Sequence, residues 1–479
     1  MIVRLLPAFA LSVSIAGITP VQAQPAASLT PCAVRGLTGD VRCGVVRVPE
    51  DRGMPVGRQI DIRVVVARAT ETPRQTDPLV LLAGGPGQAG TEMGEFATDA
   101  FSLVRRTRDL VLVDARGTGR SNPLSCALMR RPEDLGGSTL YPPESVRICR
   151  DSLSRVADLT RYTTEQIADD LEAVRQTLGY TQLNLYGTSY GSRLAFAYIR
   201  RHPTSVRAAV LKAVAPPTLI APMNYAHDAE RAFGLLERDC RADTACARAF
   251  PSPRADLDTV LARAARGEVR APVPNGRGGV DTIVVSRDAI AGSLMSVMQS
   301  AMQRSMVPRL LRVTAAGDPR PLATAVVQVR RAIDSIISAG MHLSVGCTDD
   351  GARLDTAAAR TDDARTFLGG SRVRMLADAC REWPIAPPDP AAGTAVRAST
   401  PVLLVSGELD PNTPPRHADE ALRTLPNGKH VVLAGVAHGW SNVTACGARF
   451  VAEFIERASA RELDVSCAAV SSAPRFAVP

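Results

Sequence analysis

The chain has 479 residues, of which 45% are hydrophobic and 22% are charged, so it contains enough apolar material for a packed core. This composition excludes wholesale disorder, collagen-like repeats and small disulfide scaffolds. The formal net charge is +8, but lysine occurs only at Lys212 and Lys429, which leaves 54 arginines spread among 48 acidic residues. The charge therefore indicates a compositional bias toward arginine and disfavours a nucleic-acid partner.

The first 23 residues have the pattern of a secretory signal peptide. A basic start at Arg4 precedes an apolar run from Leu5 to Gly17, and Val21-Gln22-Ala23 provides a cleavage site. The run is short for a membrane span, and an N-terminal anchor helix is the alternative interpretation. We therefore expect a secreted or periplasmic protein whose mature chain, after residues 1–23, has no stable membrane insertion.

Ten cysteines occur as sequential close pairs, which suits an oxidising compartment. Their spacing does not determine the connectivity, although neighbour pairing would close only short loops. Because no CxxC motif or Cys/His cluster has zinc spacing, we expect no metal and no other cofactor. The cysteines are Cys32, Cys43, Cys126, Cys149, Cys240, Cys246, Cys347, Cys380, Cys446 and Cys467.

Short apolar strands alternate with helical patterns along the mature chain. In Thr164–Leu178, apolar residues recur at i, i+4, i+7 and i+11, which is typical of a helix with one buried face. Strands separated by such helices predict an α/β fold with a mostly parallel central sheet. The predicted strands are Ile60–Val66, Leu79–Ala83, Leu110–Val113, Leu183–Tyr186, Ala208–Val214, Pro401–Val405 and His430–Leu433.

From about Pro216 to Pro390 the segments are helix-like and rich in alanine and arginine, without convincing buried strands. We interpret this region as an inserted helical cap. The predicted organisation is a first core part at 24–215, the cap at 216–395, and a second core part at 396–479. The last residues, Ser466–Pro479, have the pattern of a frayed tail.

A glycine-rich loop, Gly84 to Gly90, directly follows the strand Leu79–Ala83. Gly85, Gly87 and Gly90 satisfy G-x-G-x-x-G, the bare dinucleotide-binding fingerprint. Pro86 removes a backbone donor from the loop and the next segment is a weak helix start, so a dinucleotide site is disfavoured. The remaining interpretations are a tight turn and an oxyanion loop whose N–H groups approach a reacting carbonyl.

The pentapeptide Gly187-Thr188-Ser189-Tyr190-Gly191 lies between the strand Leu183–Tyr186 and the helical run Ser192–Arg200. Strand, turn and helix are the setting in which G-x-S-x-G forms a nucleophile elbow. The glycines are needed because the turn is too tight for side chains at these positions. We therefore predict that Ser189 is a nucleophile and that the motif is more than a turn.

A serine hydroxyl needs a base to take its proton and an acid to orient that base. Of six histidines, His438 alone lies in a glycine-flanked turn just after the last predicted strand, and Asp410 follows the strand Pro401–Val405. Both positions are at carboxyl ends of strands, where ligands gather in α/β sheets. Glu408 is the rival acid, and a turn histidine without a catalytic role is the default interpretation of His438 alone. The order Ser189, Asp410, His438 is that of α/β-hydrolases.

Several motifs together resemble the prolyl aminopeptidase and tripeptidyl aminopeptidase family of α/β-hydrolases. Prolyl aminopeptidases carry a histidine before Gly-Gly-Pro-Gly, whereas this chain has Ala83, which favours the secreted tripeptidyl-type branch. Cys347-Thr348-Asp349 and Cys380–Pro384 also resemble that branch and imply a Cys347–Cys380 bridge. The other motifs are Gly84-Gly85-Pro86-Gly87, Asp114-x-Arg116-Gly117-x-Gly119-x-Ser121, Gly187–Gly191, Gly407–Pro414 and Ala437-His438-Gly439. Independently of the resemblance, we expect Asp114 and Arg116 to anchor a turn by hydrogen bonds.

The resemblance implies acyl transfer by Ser189, with His438 as base and Asp410 as its partner. The N–H groups of Gly85 and Tyr190 would form the oxyanion hole. In this family acidic residues receive the free amino terminus of a peptide. The candidates are Asp349, Asp350 and Glu382, for which a structural role is the alternative.

Three functions follow from these motifs. The main hypothesis is a secreted serine aminopeptidase that releases N-terminal residues or short peptides through an acyl-enzyme on Ser189. A carboxylesterase acting on small esters is the alternative, because the same triad serves both reactions. A catalytically silent hydrolase-fold binding protein is disfavoured because the triad is complete. We expect a peptide or small ester as partner, and no nucleic acid.

Overall fold

A computed structural model describes residues 28–274, 278–387, 389–439, 445–470 and 473–478. The predicted signal peptide, residues 1–23, lies outside this part of the chain. Within the described ranges no helix combines the length and the apolar character needed to cross a bilayer. The strands are β1 (Thr30–Pro31), β2 (Val41–Pro49), β3 (Gln59–Ala67), β4 (Leu79–Leu82), β5 (Leu110–Val113), β6 (Leu183–Thr188), β7 (Val206–Lys212), β8 (Arg270–Pro274), β9 (Val280–Val284), β10 (Val402–Gly407) and β11 (Gly428–Leu433).

The α-helices follow the strands in alternation through the first and last thirds of the chain and succeed one another in the middle third. They are α1 (Gly94–Ala100), α2 (Ser102–Arg105), α3 (Pro143–Leu153), α4 (Thr164–Thr177), α5 (Tyr190–Arg201), α6 (Ala221–Ala242), α7 (Thr244–Ala249), α8 (Pro253–Ala265), α9 (Arg287–Val297), α10 (Ala301–Arg304), α11 (Val307–Ala315), α12 (Arg320–Ile336), α13 (Ala339–Val345), α14 (Thr356–Arg360), α15 (Ser371–Glu382), α16 (Pro415–Leu422) and α17 (Ala445–Arg457). A π-helical turn, Gly346–Asp350, continues α13.

Nine strands form one sheet in the order β1-β2-β3-β5-β4-β6-β7-β10-β11. The six strands from β5 to β11 in that order pair in parallel, and β1, β2 and β3 add an antiparallel edge. Parallel strands buried on both faces are expected to be continuously apolar, and β4 is an example because all of its residues are buried. The sheet therefore confirms the predicted mostly parallel architecture.

Each face of the sheet packs against its own apolar layer. Val80 and Leu82 of β4 point into the layer that α4 and α5 cover, whereas Leu79 and Leu81 point into the layer that includes Phe450 of α17. This alternation follows from the two-residue period of a strand. The parallel strands consequently end at one edge of the sheet, where the loops after β4, β6, β10 and β11 meet.

All seven predicted strands and the predicted helix Thr164–Leu178 are confirmed within two or three residues of their expected ends. The sequence did not predict β1 and β2. In β2, the side chains alternate in burial only over part of the strand, and Gly44 and two consecutive valines interrupt the apolar-polar period. A strand with an irregular period gives a weak signal.

Helices α6 to α15 lie between β7 and β10. Most of them share a separate apolar core centred on Phe233, Leu257, Ile290 and Leu311, whereas α13 and α15 pack into the layer that α4 and α5 cover. The insertion, which the sequence predicts to be a helical cap, also contains an antiparallel hairpin of β8 and β9. Two prolines lie in β8 and most residues of β9 are exposed, so the hairpin has little of the composition of a buried strand.

The expectation of a frayed tail at Ser466–Pro479 is wrong for the described residues 466–470 and 473–478, since Ser466–Ala469 form a 3-10 turn and Cys467 is bonded to Cys446. Phe476 packs against the core of the insertion and lies under the guanidinium group of Arg304. The N–H of Ala477 donates to the carbonyl oxygen of Ser305 at 3.1 Å. Contacts made with residues far away in sequence, which local composition cannot reveal, order this segment.

All ten cysteines form disulfides between sequential neighbours. The bridge implied by the family resemblance, Cys347–Cys380, is confirmed, and it ties the π-helical turn to α15. Five bridges of this kind are typical of proteins that fold in an oxidising compartment. The bridges are Cys32–Cys43, Cys126–Cys149, Cys240–Cys246, Cys347–Cys380 and Cys446–Cys467.

A buried ion pair anchors the turn that follows β5. The side chain of Arg116 is fully buried and forms two hydrogen bonds with the carboxylate of Asp170, at 2.6 and 2.7 Å. Its remaining N–H groups donate to the carbonyl oxygens of Glu50 and Arg161. Asp114 accepts hydrogen bonds from two backbone N–H groups of the same region. The predicted anchoring role of Asp114 and Arg116 is therefore confirmed.

We expect Arg116→Met to lower the free energy of unfolding by about 3 kcal/mol, because the change leaves a buried carboxylate short of its partner. Arg52 still donates one hydrogen bond to Asp170 in this variant, so the carboxylate does not lose all of its cationic partners. Urea unfolding of the purified protein measures the effect. The control is Arg106→Met, since Arg106 makes the same two-bond contact with Glu71 at the exposed surface and should leave the midpoint unchanged. Equal shifts in both variants would contradict this account.

Candidate active site

Ser189 lies between β6 and α5 in a backbone conformation that residues other than glycine seldom adopt. Its φ is 56° and its ψ is −123°. Its N–H donates to the carbonyl oxygen of Lys212 at the end of β7, at 3.0 Å. Strain of this kind is typical of a nucleophile elbow, in which the turn presents the hydroxyl above the sheet.

The glycines on either side of Ser189 are required by close backbone packing. A β-carbon on Gly187 would lie 2.4 Å from the carbonyl oxygen of Gly191, and a β-carbon on Gly191 would lie 2.1 Å from the carbonyl oxygen of Leu82. Real β-carbons do not approach oxygen so closely. The G-x-S-x-G pattern therefore reflects the contact between α5 and the end of β4.

The loop Gly84–Gly90 passes beside Ser189. A β-carbon on Gly84 would lie 3.4 Å from the β-carbon of Ser189, and Gly85 has a φ of 110°. The N–H groups of Gly85 and Tyr190, the predicted oxyanion donors, donate to no acceptor within the described residues. Tyr190 is the first residue of α5, where backbone N–H groups lack intrahelical partners and favour negative charge.

Asp410 and His438 are brought together by the loops after β10 and β11. His438 Nδ1 lies 2.8 Å from Oδ2 of Asp410. Because an ionised carboxylate can only accept, Nδ1 carries the proton in this contact and Nε2 is left free to act as a base. Asp410 is fully buried, whereas the side chain of His438 is 13% exposed.

Hydrogen bonds surround the carboxylate of Asp410. Burial alone would raise its pKa, but the charge and hydrogen bond of His438 and the N–H groups of Thr413 and Asn412 hold the pKa below its ordinary value. Those two N–H groups lie 2.9 and 2.8 Å from Oδ1. Asp410 therefore stays ionised beside the imidazole, as a group that stabilises an imidazolium must.

Thr413 joins the acid to the base. Its hydroxyl donates to Oδ2 of Asp410 at 2.9 Å and lies 3.1 Å from Nδ1 of His438. The rival acid, Glu408, is occupied elsewhere, since it accepts from the N–H of Gly435 and pairs with Arg238. The sequence analysis did not single out Thr413, although it lies three residues after Asp410 in the same short loop.

Lys212 supports the histidine turn from the end of β7. Its ammonium group donates to the carbonyl oxygens of His438 and Gly439, at 2.7 and 3.1 Å. Burial lowers its pKa to about 8, against the charge of Asp410. The sequence analysis missed this role, yet the scarcity of lysine in an arginine-rich chain was a signal that could have drawn attention to it.

Among the three carboxylates predicted to receive an amino terminus, Asp349 has a fully buried oxygen, Oδ1, without a hydrogen-bond partner in the described part of the chain, and its Oδ2 lies 4.0 Å from Arg193. Its Oδ2 accepts from Thr164, whose hydroxyl also contacts the hydroxyl of Tyr190. Burial raises the pKa of Asp349 to about 7, against the charge of Arg193. Asp349 is thus linked by two hydrogen bonds to the residue after the nucleophile.

The other two carboxylates are paired with arginines. Asp350 is buried and contacts Arg193 and Arg353, at 3.0 and 2.9 Å. Glu382 contacts Arg147 and Arg150 of α3, at 3.2 and 3.6 Å. Arg193 also lies 4.0 Å from Oδ2 of Asp349, so the feature that favours Asp349 over both as a group able to bind a cation is its buried Oδ1, which accepts no hydrogen bond within the described residues.

The site has the parts that acyl transfer requires. Ser189 supplies a hydroxyl, His438 and Asp410 form an ordered base–acid pair, and two backbone N–H groups are available near the nucleophile. Within the described residues no cluster of three or more His, Cys, Asp or Glu side chains could hold a metal ion. The side chains present can carry out proton transfer and nucleophilic attack by themselves.

Comparisons with known proteins give matches over much of the chain. Residues 77–279 match the family model of the alpha/beta hydrolase fold, and residues 365–467 match the model of the TAP-like protein. The serine protease Hip1 of Mycobacterium tuberculosis is 25% identical over 466 residues, which cover 88% of this chain and 85% of that protein.

Two further relatives match shorter parts of the chain. The tripeptidyl aminopeptidase of Streptomyces lividans is 30% identical over 195 residues, which cover 37% of this chain and 36% of that protein. The proline iminopeptidase of Neisseria gonorrhoeae is 29% identical over 160 residues, which cover 33% of this chain and 39% of that protein.

We expect Thr413→Val to lower kcat about tenfold, because a hydrogen bond to an ionised group contributes about 1.5–3 kcal/mol and part of that would be lost from the transition state. Thr413→Ser keeps the hydroxyl and is the matched control, with kcat close to that of the native protein. Hydrolysis of a p-nitrophenyl ester measures both. If valine and serine gave the same rate, Thr413 would have no part in orienting the pair.

Proposed function

The chain is a serine hydrolase of the α/β-hydrolase fold with a TAP-like C-terminal region, and we propose that it acts as an aminopeptidase releasing N-terminal residues or short peptides. The observation that carries the proposal is the contact between His438 and Asp410, at the same edge of the sheet as the strained Ser189. The relatives named above are all peptidases, which favours a peptide over a small ester as substrate.

In the proposed mechanism, the hydroxyl of Ser189 attacks the carbonyl carbon of the scissile bond while Nε2 of His438 takes its proton. His438 then returns that proton to the leaving amine, and an acyl-enzyme on Ser189 remains. A water molecule, deprotonated by His438, hydrolyses the acyl-enzyme in the second half of the reaction. Asp410 holds the imidazole in the required tautomer and stabilises its charged form.

The developing negative charge on the carbonyl oxygen needs donors in place before it appears. The N–H groups of Gly85 and Tyr190 are proposed to fill this role, and Pro86 has no N–H to contribute. Losing one such donor typically lowers the rate by about 100- to 1000-fold. The N-terminal end of α5 adds to this stabilisation through its dipole.

The inserted segment is proposed to act as a cap over the site, and the protein to work outside the cytoplasm. The insertion contacts the loop that carries His438 directly, since the N–H of Gly439 donates to the carbonyl oxygen of Gln299 in the turn between α9 and α10. The five disulfides support secretion, because such bonds persist in oxidising compartments.

Asp349 is proposed to receive the amino terminus of the substrate. It borders a cleft of about 400 Å³ whose walls also include the carboxylates of Glu165 and Asp389 and the guanidinium groups of Arg161 and Arg201. The charges of Asp350 and Glu382 are compensated by arginines, as described above. A buried carboxylate with one oxygen unpaired gains most from an incoming ammonium group.

We expect Ser189→Ala to abolish labelling by a fluorophosphonate and to lower peptide hydrolysis by about 10⁴-fold or more. The test of the reaction class compares a tripeptide p-nitroanilide with its N-acetylated twin. Faster turnover of the free amine supports the aminopeptidase, and equal rates would support the carboxylesterase instead. Unchanged hydrolysis by the alanine variant would contradict the mechanism.

The pKa of Asp349 predicts a narrow pH range for binding of free-amine substrates. Its carboxylate predominates above about pH 7, whereas a peptide α-amino group is charged below about pH 8. We therefore expect KM to be lowest between about pH 7 and 8 and to rise on both sides. In Asp349→Asn the rise on the acid side should disappear, as it should for the N-acetylated substrate.

Stability provides the control for that variant. Because burial raises the pKa of Asp349 in the folded state, the native protein loses stability as pH rises from about 4 to about 7. Asparagine removes this loss, so thermal unfolding of Asp349→Asn at pH 8 should occur no earlier than that of the native protein. If KM of this folded variant still rises below about pH 7, Asp349 is excluded as the group that receives the substrate's amino terminus.

A further inference from the structure

A histidine outside the triad contacts the loop that passes beside Ser189. His342 lies on α13, in the inserted segment, and its Nδ1 is 3.1 Å from the carbonyl oxygen of Pro86. Its other ring nitrogen, Nε2, is 2.8 Å from the hydroxyl of Tyr141, and the two rings stack with their centroids 5.7 Å apart. The imidazole therefore bridges Tyr141 and the glycine-rich loop.

The direction of these hydrogen bonds follows from the chemistry of the partners. A carbonyl oxygen can only accept, so Nδ1 of His342 carries a proton and donates it to Pro86. Burial lowers the pKa of His342 below its ordinary value, which favours the neutral ring. In a neutral ring with Nδ1 protonated, Nε2 is an acceptor, and it accepts a hydrogen bond from the hydroxyl of Tyr141. The carbonyl group of Pro86 thus selects the tautomer, and the hydroxyl of Tyr141 holds the ring in place from the other side.

A second contact from the same segment holds the next carbonyl group. The N–H of Ser338 donates to the carbonyl oxygen of Gly87 at 2.9 Å. A β-carbon on Gly87 would lie 2.9 Å from the carbonyl oxygen of Ser338, so the two segments pack as closely as backbone allows. Two consecutive carbonyl groups of the loop are therefore held by the junction of α12 and α13.

The loop needs this support because Gly85 and Gly87, on either side of Pro86, do not restrict their own backbone angles. Gly85 and Gly87 have φ values of 110° and 107°, and glycine passes between backbone conformations at little cost. A donor that stabilises a developing oxyanion must be aimed correctly before the reaction starts, and misplacement by a fraction of an ångström weakens it. A contact from outside the loop that fixes its conformation would therefore increase the rate of the reaction.

We propose that His342, oriented by Tyr141, is a positioning residue for the oxyanion loop. The imidazole of His342 holds the carbonyl group of Pro86, so that the N–H of Gly85 faces the reacting carbonyl. The inference rests on the proposed acyl transfer at Ser189. It makes catalysis depend on contact between the inserted segment and the loop, because His342 belongs to the first and Pro86 to the second.

Two substitutions of similar size separate the two contacts of the imidazole. His342→Asn places an amide N–H near the position of Nδ1, so it keeps the hydrogen bond to Pro86 and loses the one with Tyr141. His342→Gln places its amide near the position of Nε2, so it keeps a hydrogen bond with Tyr141 and loses the one to Pro86. Both side chains are polar and neutral, so neither leaves a cavity lined only by carbon atoms.

We expect kcat of the asparagine variant to stay within about threefold of the native value and kcat of the glutamine variant to fall about 10- to 100-fold, less than for loss of a whole oxyanion donor. KM should change little in either, because the loop acts on the transition state. The affinity for a peptide boronic acid, which mimics the tetrahedral intermediate, should fall in parallel with kcat/KM in the glutamine variant only.

Tyr141→Phe tests the second half of the chain of hydrogen bonds. We expect it to lower kcat a few-fold in the native background and to have no further effect in His342→Asn, whose side chain no longer reaches Tyr141. His202→Gln is the matched control, since His202 pairs with Asp169 at the far end of α5 and should leave kcat and boronic acid affinity unchanged.

The inference is overturned if the glutamine variant matches the asparagine variant or exceeds it in kcat, or if boronic acid affinity stays native in both. Its failure is distinct from failure of the proposed function. A native protein that is not labelled at Ser189 by a fluorophosphonate would remove the acyl-transfer mechanism itself. If the protein is labelled and active, but substitution of His342 changes neither kcat nor the boronic acid affinity, only the positioning role is excluded.

Discussion

The backbone contact between the start of α5 and the end of β4 determines the geometry of the whole site. Gly191 lies so close to the carbonyl oxygen of Leu82 that no side chain fits between them, and Ser189 takes a positive φ as a result of the turn this requires. The same contact places the loop after β4 beside the nucleophile. A shift of α5 by even 1 Å would change the relation of Ser189 to Gly84 and to the end of β7 together.

The charged groups of the site depend on this backbone contact for their positions. Most buried ionised groups described here have a partner of opposite charge, as in Arg116–Asp170, Arg193–Asp350 and Asp410–His438. Lys212 donates to neutral carbonyl oxygens, and one oxygen of Asp349 is buried without a hydrogen bond within the described residues. Burial lowers the pKa of Lys212 to about 8 and raises the pKa of Asp349 to about 7. An ammonium group suits the position of Lys212 because it is compact and its donors rotate, whereas a guanidinium group is a rigid fork.

The parts of this structure that could be predicted from the sequence are those in which local chemistry restricts the residue type. The elbow needs glycines and a serine at fixed spacing, buried parallel strands need apolar runs, and an acid and a base follow strands in a fixed order. The hairpin of β8 and β9, the ordered residues 473–478, and the roles of Lys212 and His342 were not predicted. Each depends on a contact between segments far apart in sequence, and a lysine or histidine has the same local pattern whatever carbonyl it reaches.

The length of the insertion has a consequence for folding kinetics. β7 ends at Lys212 and β10 begins at Val402, yet these strands pair directly. Closing so long a loop is slow unless the intervening chain collapses first. The insertion has its own apolar core, so its folding would bring the two strands close before they pair. Because Asp410 and His438 follow β10 and β11, whereas Ser189 follows β6, we expect the proposed triad to be assembled only after β7 and β10 have paired.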